Sequence, residues 1–199
     1  MNHRYKFRVD DISLNTDALK LAAMIAFLQD YFGPEWVEVE LAVSPAVFDM
    51  SNYEGLEKER AFPATLNREA DFRKFYRVEK VGVPEFIWEY RSKGPFFTIS
   101  AHGMVHVDHR LLSGKAQELS IVTSCALTKS DSFVPPFHKW NEKTEAACQR
   151  NRIHLEKLES VNTSHLLYHK FDPNTYHYYF HTHDFTYEQF VQRFSSPPH

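Results

Sequence analysis

The sequence predicts an α+β fold: one domain, residues 1–194, whose mainly antiparallel twisted sheet is covered by an N-terminal helix, a long helix near 138–161 and a short C-terminal helix. Three observations lead there. The segment NTDALKLAAMIAFLQDYFGP (15–34) repeats apolar residues at helical spacing. Hydrophobicity then alternates with period two from 85 to 127 and is broken by Ser-Lys-Gly-Pro and Leu-Ser-Gly-Lys, the pattern of a three-stranded meander. The chain closes on two short β-like runs around Asp-Pro-Asn-Thr, read as a hairpin, and a last amphipathic turn of helix.

In chain order, YKFRV (5–9) alternates as a strand, and the helix after it has Asn15 or Thr16 as cap, Leu21, Ile25, Leu28 and Phe32 inward, and a Gly33-Pro34 stop. WVEVELAV (36–43) places Val37, Val39, Leu41 and Val43 on one side and Trp36, Glu38 and Glu40 on the other, as a half-buried strand does. Residues 44–66 show no sustained period and read as a long irregular excursion; long loops in compact domains are often functional. NREADFRKFYRVEK (67–80) reads as a helix with rings on one face and Arg73, Arg77 and Lys80 on another. EFIWEYR, PFFTISAHGMVHVDH and QELSIVTSCAL form the three expected strands. The long helix presents Trp140, Thr144, Ala147, Leu155 and Leu158 inward, a stripe interrupted by Asn151. HLLYHKF (165–171) and YHYYFHTH (176–183) form the hairpin, and Asp184 or Thr186 caps the last helix; 195–199 is a frayed tail.

Seventeen Phe and ten Tyr against six Gly describe a chain that fills a core with large rings. A formal charge of −3 gives no overall positive field, which argues against general nucleic-acid binding. The charged start MNHRYKFRVDD lacks the apolar centre of a signal peptide, and LKLAAMIAFL is too short to span a bilayer, so no membrane association and a cytoplasmic location are expected. Cys125 and Cys148, without CxxC spacing, read as reduced, packed thiols.

Two histidine clusters are the candidate chemistry. His177, His181 and His183 share a face of the last strand, where three imidazoles could hold zinc or another divalent ion. The spacing of His181, His183 and Glu188 resembles the first metal motif of the cupin family over about eight residues; no glycine stands before it at the expected distance, and no second motif follows. His102, His106 and Asp108 share a polar face with Thr98 and Ser100 and are the candidate acid–base set, provided the two clusters lie side by side. The outside of a solvated sheet accounts for the same pattern. No GxSxG, Walker loop or GxGxxG is present.

The expectation is therefore a non-catalytic protein-binding module, similar in general character to the small immunity proteins that neutralise a toxin. It would use Phe48, Asp49, Tyr53, Glu54, Glu57 and Glu59 of the excursion to anchor and steer a basic partner protein, with no cofactor. The alternatives are a metal- or histidine-dependent enzyme built on the clusters at 102–109 and 177–183, and nucleic-acid binding through the basic helix 67–80.

Overall fold

The computed structural model describes residues 4–48, 78–157, 169–172 and 175–195. Asp49, Tyr53, Glu54, Glu57 and Glu59, the expected helix up to 77, the residues 158–168 and the tail from 196 lie outside these, as does the side chain of Phe48.

Strand β1 (Arg4–Ile12), helix α1 (Ala18–Phe32) and strand β2 (Val37–Val43) open the chain as the periodicities predict, with β1 and β2 parallel. Asp17, one residue beyond the expected caps, accepts from the backbone N–H groups of Leu19 and Lys20. Next come β3 (Ala46–Phe48), β4 (Val78–Val81), α2 (Glu85–Ser92) and β5 (Phe97–Ala101), then α3 (Gly114–Thr128), β6 (Ser132–Phe133), α4 (Glu142–Arg150) and β7 (His154–Leu155). β8 (His169–Asp172), β9 (Thr175–His181) and α5 (Tyr187–Ser195) end the described chain.

The main sheet has the order β7-β6-β5-β2-β1-β9-β8, and every neighbouring pair is parallel except β8 with β9. This overturns the antiparallel α+β expectation: the fold is a curled α/β half-barrel with five α-helices among the described residues. β3 and β4 form a separate antiparallel pair.

Two expected strands are helices, for reasons their residues explain. In α2, Phe, Ile, Trp and Tyr have high strand propensity, but Pro84 stands at the cap, Glu85 occupies the first turn, and the buried residues are Ile87 and Tyr90, three apart. In α3 the buried positions are Ala116, Gln117, Ser120, Ile121, Ser124, Cys125 and Thr128, a helical stripe built largely of small polar residues. Two of the hydroxyls are satisfied within the helix, Ser124 donating to the Ile121 carbonyl (3.0 Å) and Thr128 to that of Ser124 (2.8 Å), while that of Ser120 bonds the loop after β5. Hydrophobicity alone therefore saw only the alternating Leu119, Ile121 and Leu127.

The long helix near 138–161 is also corrected. An Asn141–Thr144 capping box starts α4, Asn151 ends it, and Arg152 at φ +54° turns the chain into β7. The middle strand of the expected meander stops at Ala101, so His102, His106 and Asp108 belong to a loop and not to a strand face. The terminal hairpin is present as β8 and β9, and α5 follows it.

Parallel strands are covered on both faces, which is why β2 is buried almost throughout. One face of the sheet holds the main core, with Phe7, Val9, Leu41 and Phe180 against Leu21, Ile25 and Leu28 of α1 and Phe190 and Phe194 of α5. The other face is polar and still buried: Lys6 pairs with Glu40 (3.1 Å), Ser100 donates to Glu40, and Arg8 pairs with Asp10. Cys125 and Cys148 are free and buried in a smaller cluster with Phe133. No helix among the described residues is long and apolar enough to cross a membrane.

Candidate metal centre

The carboxyl ends of parallel strands β1, β5, β6 and β9 lie together, and open α/β sheets form their sites at that end. β1 closes on Val-Asp-Asp-Ile. Asp11 adopts φ +60°, and the register with β2 shifts between Val9 and Ile12. Successive side chains of a regular strand point to opposite faces; the bulge breaks that alternation and brings Asp10 and Asp11 into one neighbourhood. Asp tolerates the left-handed region better than most residues, at a cost of roughly 1–2 kcal/mol.

From the end of β5 the chain supplies His102 and His106. The backbone of His102 is pinned by its N–H to the Val43 carbonyl (2.8 Å) and by its own carbonyl, which accepts from Ser44 Oγ (2.9 Å). Its ring is pinned by Nδ1, which donates to the carbonyl of Val134 beyond β6 (2.9 Å). Nε2 then faces Asp11 Oδ1 at 3.1 Å, and Nε2 of His106 reaches the same oxygen at 2.9 Å. One ligand atom from each of Asp11, His102 and His106 lies within 4.8 Å of the others.

Gly103 at φ +79° turns the loop between them. Behind it stands His109, fully buried and tied into a directional chain: Met104 N–H donates to Ser120 Oγ, Ser120 to His109 Nε2, and His109 Nδ1–H to the Val107 carbonyl. Burial pushes His109 down to about 4, so it is a neutral support for the loop. Asp108 turns away from the centre, capping the 3-10 turn at His109–Leu111 and pairing with Arg110 (2.7 Å).

Beyond β6, Phe137 and His138 take φ +55° and +54°. With Asp11, they place three of the five described non-glycine residues of positive φ around this centre, a concentration of strain typical of functional sites. The Phe137 ring lies 4.3 Å from that of His106. Arg8 grips Asp10 through Nε (2.8 Å) and Nη2 (3.0 Å) and also donates to His138 Nδ1 (3.1 Å). An arginine only donates, so His138 is neutral with its proton on Nε2, which lies 3.7 Å from Asp10. Burial pushes His138 down to about 4.

Burial resists the charge on Asp10, but the Arg8 guanidinium and then His102 hold it below the ordinary carboxylate range. Asp11 is lowered too: its hydrogen bonds to His102 and His106 outweigh burial. For His102 burial also opposes the charge, yet Asp11 and Asp10 raise its affinity for a proton, whereas for His106 burial prevails and lowers it.

β9 delivers His181, whose Nε2 lies 3.6 Å from Asp11 Oδ2 and whose Nδ1 lies 2.7 Å from Asp184. His183 sits in the 3-10 turn after the strand, its ring 5.2 Å from that of His181. The two histidine clusters named from sequence thus meet, and Asp11 is the residue that joins them. His177 lies four positions earlier in β9, paired with Lys6 and His169, and is not in the group. Asp10, Asp11, Arg8 and His138 were not sequence candidates; the available signal was a pair of carboxylates near the end of a strand that is otherwise apolar on one face. A hollow of about 490 Å³ lined by Arg91, Cys125, Lys129 and Arg152 touches none of these residues.

No family model and no curated protein matches the sequence. Among solved structures, the chain is similar to the peptidoglycan deacetylase PdaC from Bacillus subtilis, with a TM-score of 0.47 and 11% identity over 78% of this chain and 58% of that one. It is also similar to BA3943, a CE4 family pseudoenzyme from Bacillus anthracis, with a TM-score of 0.43 and 8% identity over 78% of this chain and 43% of that one. The chain therefore spans little more than half the length of the first.

Proposed function

We propose that the chain is a metal-dependent hydrolase of acyl bonds, amide or ester, in which Asp11, His102 and His106 hold one divalent cation. The observation that carries the reading is the approach of His102 Nε2 to Asp11 (3.1 Å) while His102 Nδ1 is committed to a carbonyl. In the neutral ring Nε2 then has only a lone pair to present to a carboxylate, so either a proton or a cation must lie between them. One carboxylate oxygen and two imidazole nitrogens suit zinc, cobalt, nickel or ferrous iron, and three protein ligands leave a position open. A cation bound there would polarise a carbonyl and make water nucleophilic near neutral pH.

The chain's own residues handle the protons. Asp10, kept ionised by Arg8, accepts a proton from the attacking water. His181, beside Asp11 and oriented by Asp184, hands a proton to the leaving group. An acceptor and a separate donor are what formation and collapse of a tetrahedral adduct require. Phosphoryl transfer instead calls for cationic groups to clamp the transferring oxygens, and the buried Arg8 is already spent on Asp10.

Elemental analysis of protein purified without a histidine tag tests the proposal, together with hydrolysis of 4-nitrophenyl acetate before and after chelation. About one tightly held metal per chain, and activity that falls on chelation and returns with metal, support it. Protein that stays metal-free in micromolar zinc overturns it.

A further inference from the structure

We propose that Asp11, His181 and His183 form a second cation site on the outer side of Asp11, and that filling it inhibits the hydrolase. The site rests on geometry; the inhibition rests on the proposed function.

The two oxygens of Asp11 serve different neighbours. Oδ1 faces His102 and His106 at 3.1 and 2.9 Å, and Oδ2 faces His181 Nε2 at 3.6 Å. One ligand atom from each of Asp11, His181 and His183 lies within 4.8 Å of the others, as in the inner group. A carboxylate with one oxygen toward each ligand set can bridge two cations, which in two-metal sites stand about 3.5–4 Å apart.

His181 is already oriented as a ligand. Its Nδ1 engages Asp184 Oδ2 at 2.7 Å, so the neutral ring donates to that carboxylate and offers its Nε2 lone pair toward Asp11, as metal-binding histidines with an outer carboxylate do. The turn at Thr182–Asp184 departs from the strand immediately after His181 and lays the His183 ring on that of His181, with an interplanar angle of 26°. Asp184 Oδ1 lies 3.6 Å from His183 Nε2, so one carboxylate attends both rings. The His183 side chain is 65% exposed and that of His102 1%. The outer site has one solvent-exposed ligand, so it is expected to fill after the inner one. Once filled, it occupies Nε2 of His181, the atom assigned to proton donation.

Chelator-stripped, tag-free protein titrated with zinc chloride against a chromophoric chelator gives the stoichiometry. The wild type is expected to bind two zinc ions, the second more weakly than the first. His183→Ala, on an exposed side chain, is expected to bind one, with the tight event unchanged. Asp184→Asn is expected to weaken the second event by about 10- to 100-fold through His181, again sparing the first. Zinc should slow 4-nitrophenyl acetate hydrolysis over the range of the second event, with His183→Ala needing at least about 10-fold more zinc. One zinc ion in wild type and variant alike overturns the second site and leaves the hydrolase reading standing; none in either removes both. Two in His183→Ala, or a doubly loaded wild type with undiminished hydrolysis, also overturns this inference.

Discussion

His102 donates its Nδ1–H to the carbonyl oxygen of Val134 across 2.9 Å, and this bond decides what the opposite ring nitrogen can do. A backbone carbonyl cannot donate, so the neutral ring keeps its lone pair on Nε2, aimed at Asp11. The arrangement depends on topology: Val134 follows β6, His102 follows β5 and Asp11 lies in β1, and only a parallel sheet brings these three ends to one edge.

Asp11→Asn is expected to abolish tight metal binding with little effect on folding. Asn, like Asp, accepts a left-handed backbone, so φ +60° adds no new strain. The change removes the charge that two imidazoles share, and affinity should fall by more than the 10- to 100-fold typical of losing an outer partner. Equilibrium dialysis against zinc, with melting of the metal-free proteins within a few degrees of each other, checks both halves.

Asp10→Asn is expected to separate catalysis from metal binding. Asp10 is hydrogen-bonded to Arg8 and lies near His138, and is not one of the three inner ligands, so metal content should stay near that of wild type. Hydrolysis should fall by about 10²- to 10⁴-fold, the usual worth of a positioned proton acceptor. Arg8 would lose a buried ionic partner, so some loss of melting temperature is expected as well. Retained activity with full metal would remove Asp10 from the mechanism.

The β1–α1–β2 opening and α5 were legible because their apolar residues repeat at the period of the element they form, and the terminal hairpin because two β-like runs flank Asp-Pro-Asn-Thr. α3 was not, because its buried stripe is Ser, Thr and Gln held by their own hydrogen bonds, and α2 was not, because aromatic and β-branched residues hid a spacing of three. Once α2 and α3 read as strands, the crossovers that make a sheet parallel vanished, and with them the reason for His102 and His181 to converge. The histidines could be named from their type alone. Asp10 and Asp11 could not, since period two sends neighbours to opposite faces and only the bulge at Asp11 defeats that rule.

Gly103→Ala is expected to damage the loop that carries both histidine ligands. At φ +79° an L side chain is strained, and the added Cβ would lie 2.8 Å from His109 Cε1 and 2.9 Å from the Val105 carbonyl oxygen. Strain and clash together should cost at least about 2 kcal/mol, read as a lower urea midpoint at unchanged m-value. Metal affinity should fall with it, because His102 adjoins the glycine. A variant as stable as wild type would show that the His109 ring yields freely.

The buried His109 should make the fold acid-labile over a definite window. Its pKa is near 4 in the folded protein and about 6.5 when unfolded, so below 6.5 the unfolded chain binds the proton first. The stability it contributes is complete above pH 6.5 and is lost as pH falls toward 4, on the order of 3 kcal/mol in all. His138, also near 4, and His106, lowered by burial, act with the same sign, whereas His102, raised in the folded state, acts with the opposite one, so the whole-protein profile mixes these contributions. His109→Gln isolates the term: the amide oxygen still accepts from Ser120, but nothing titrates. Urea unfolding of metal-free protein from pH 7 to 4 should show wild type losing stability faster than the variant by up to about 1.4 kcal/mol per pH unit. Parallel profiles would mean that His109 takes up its proton without opening the loop.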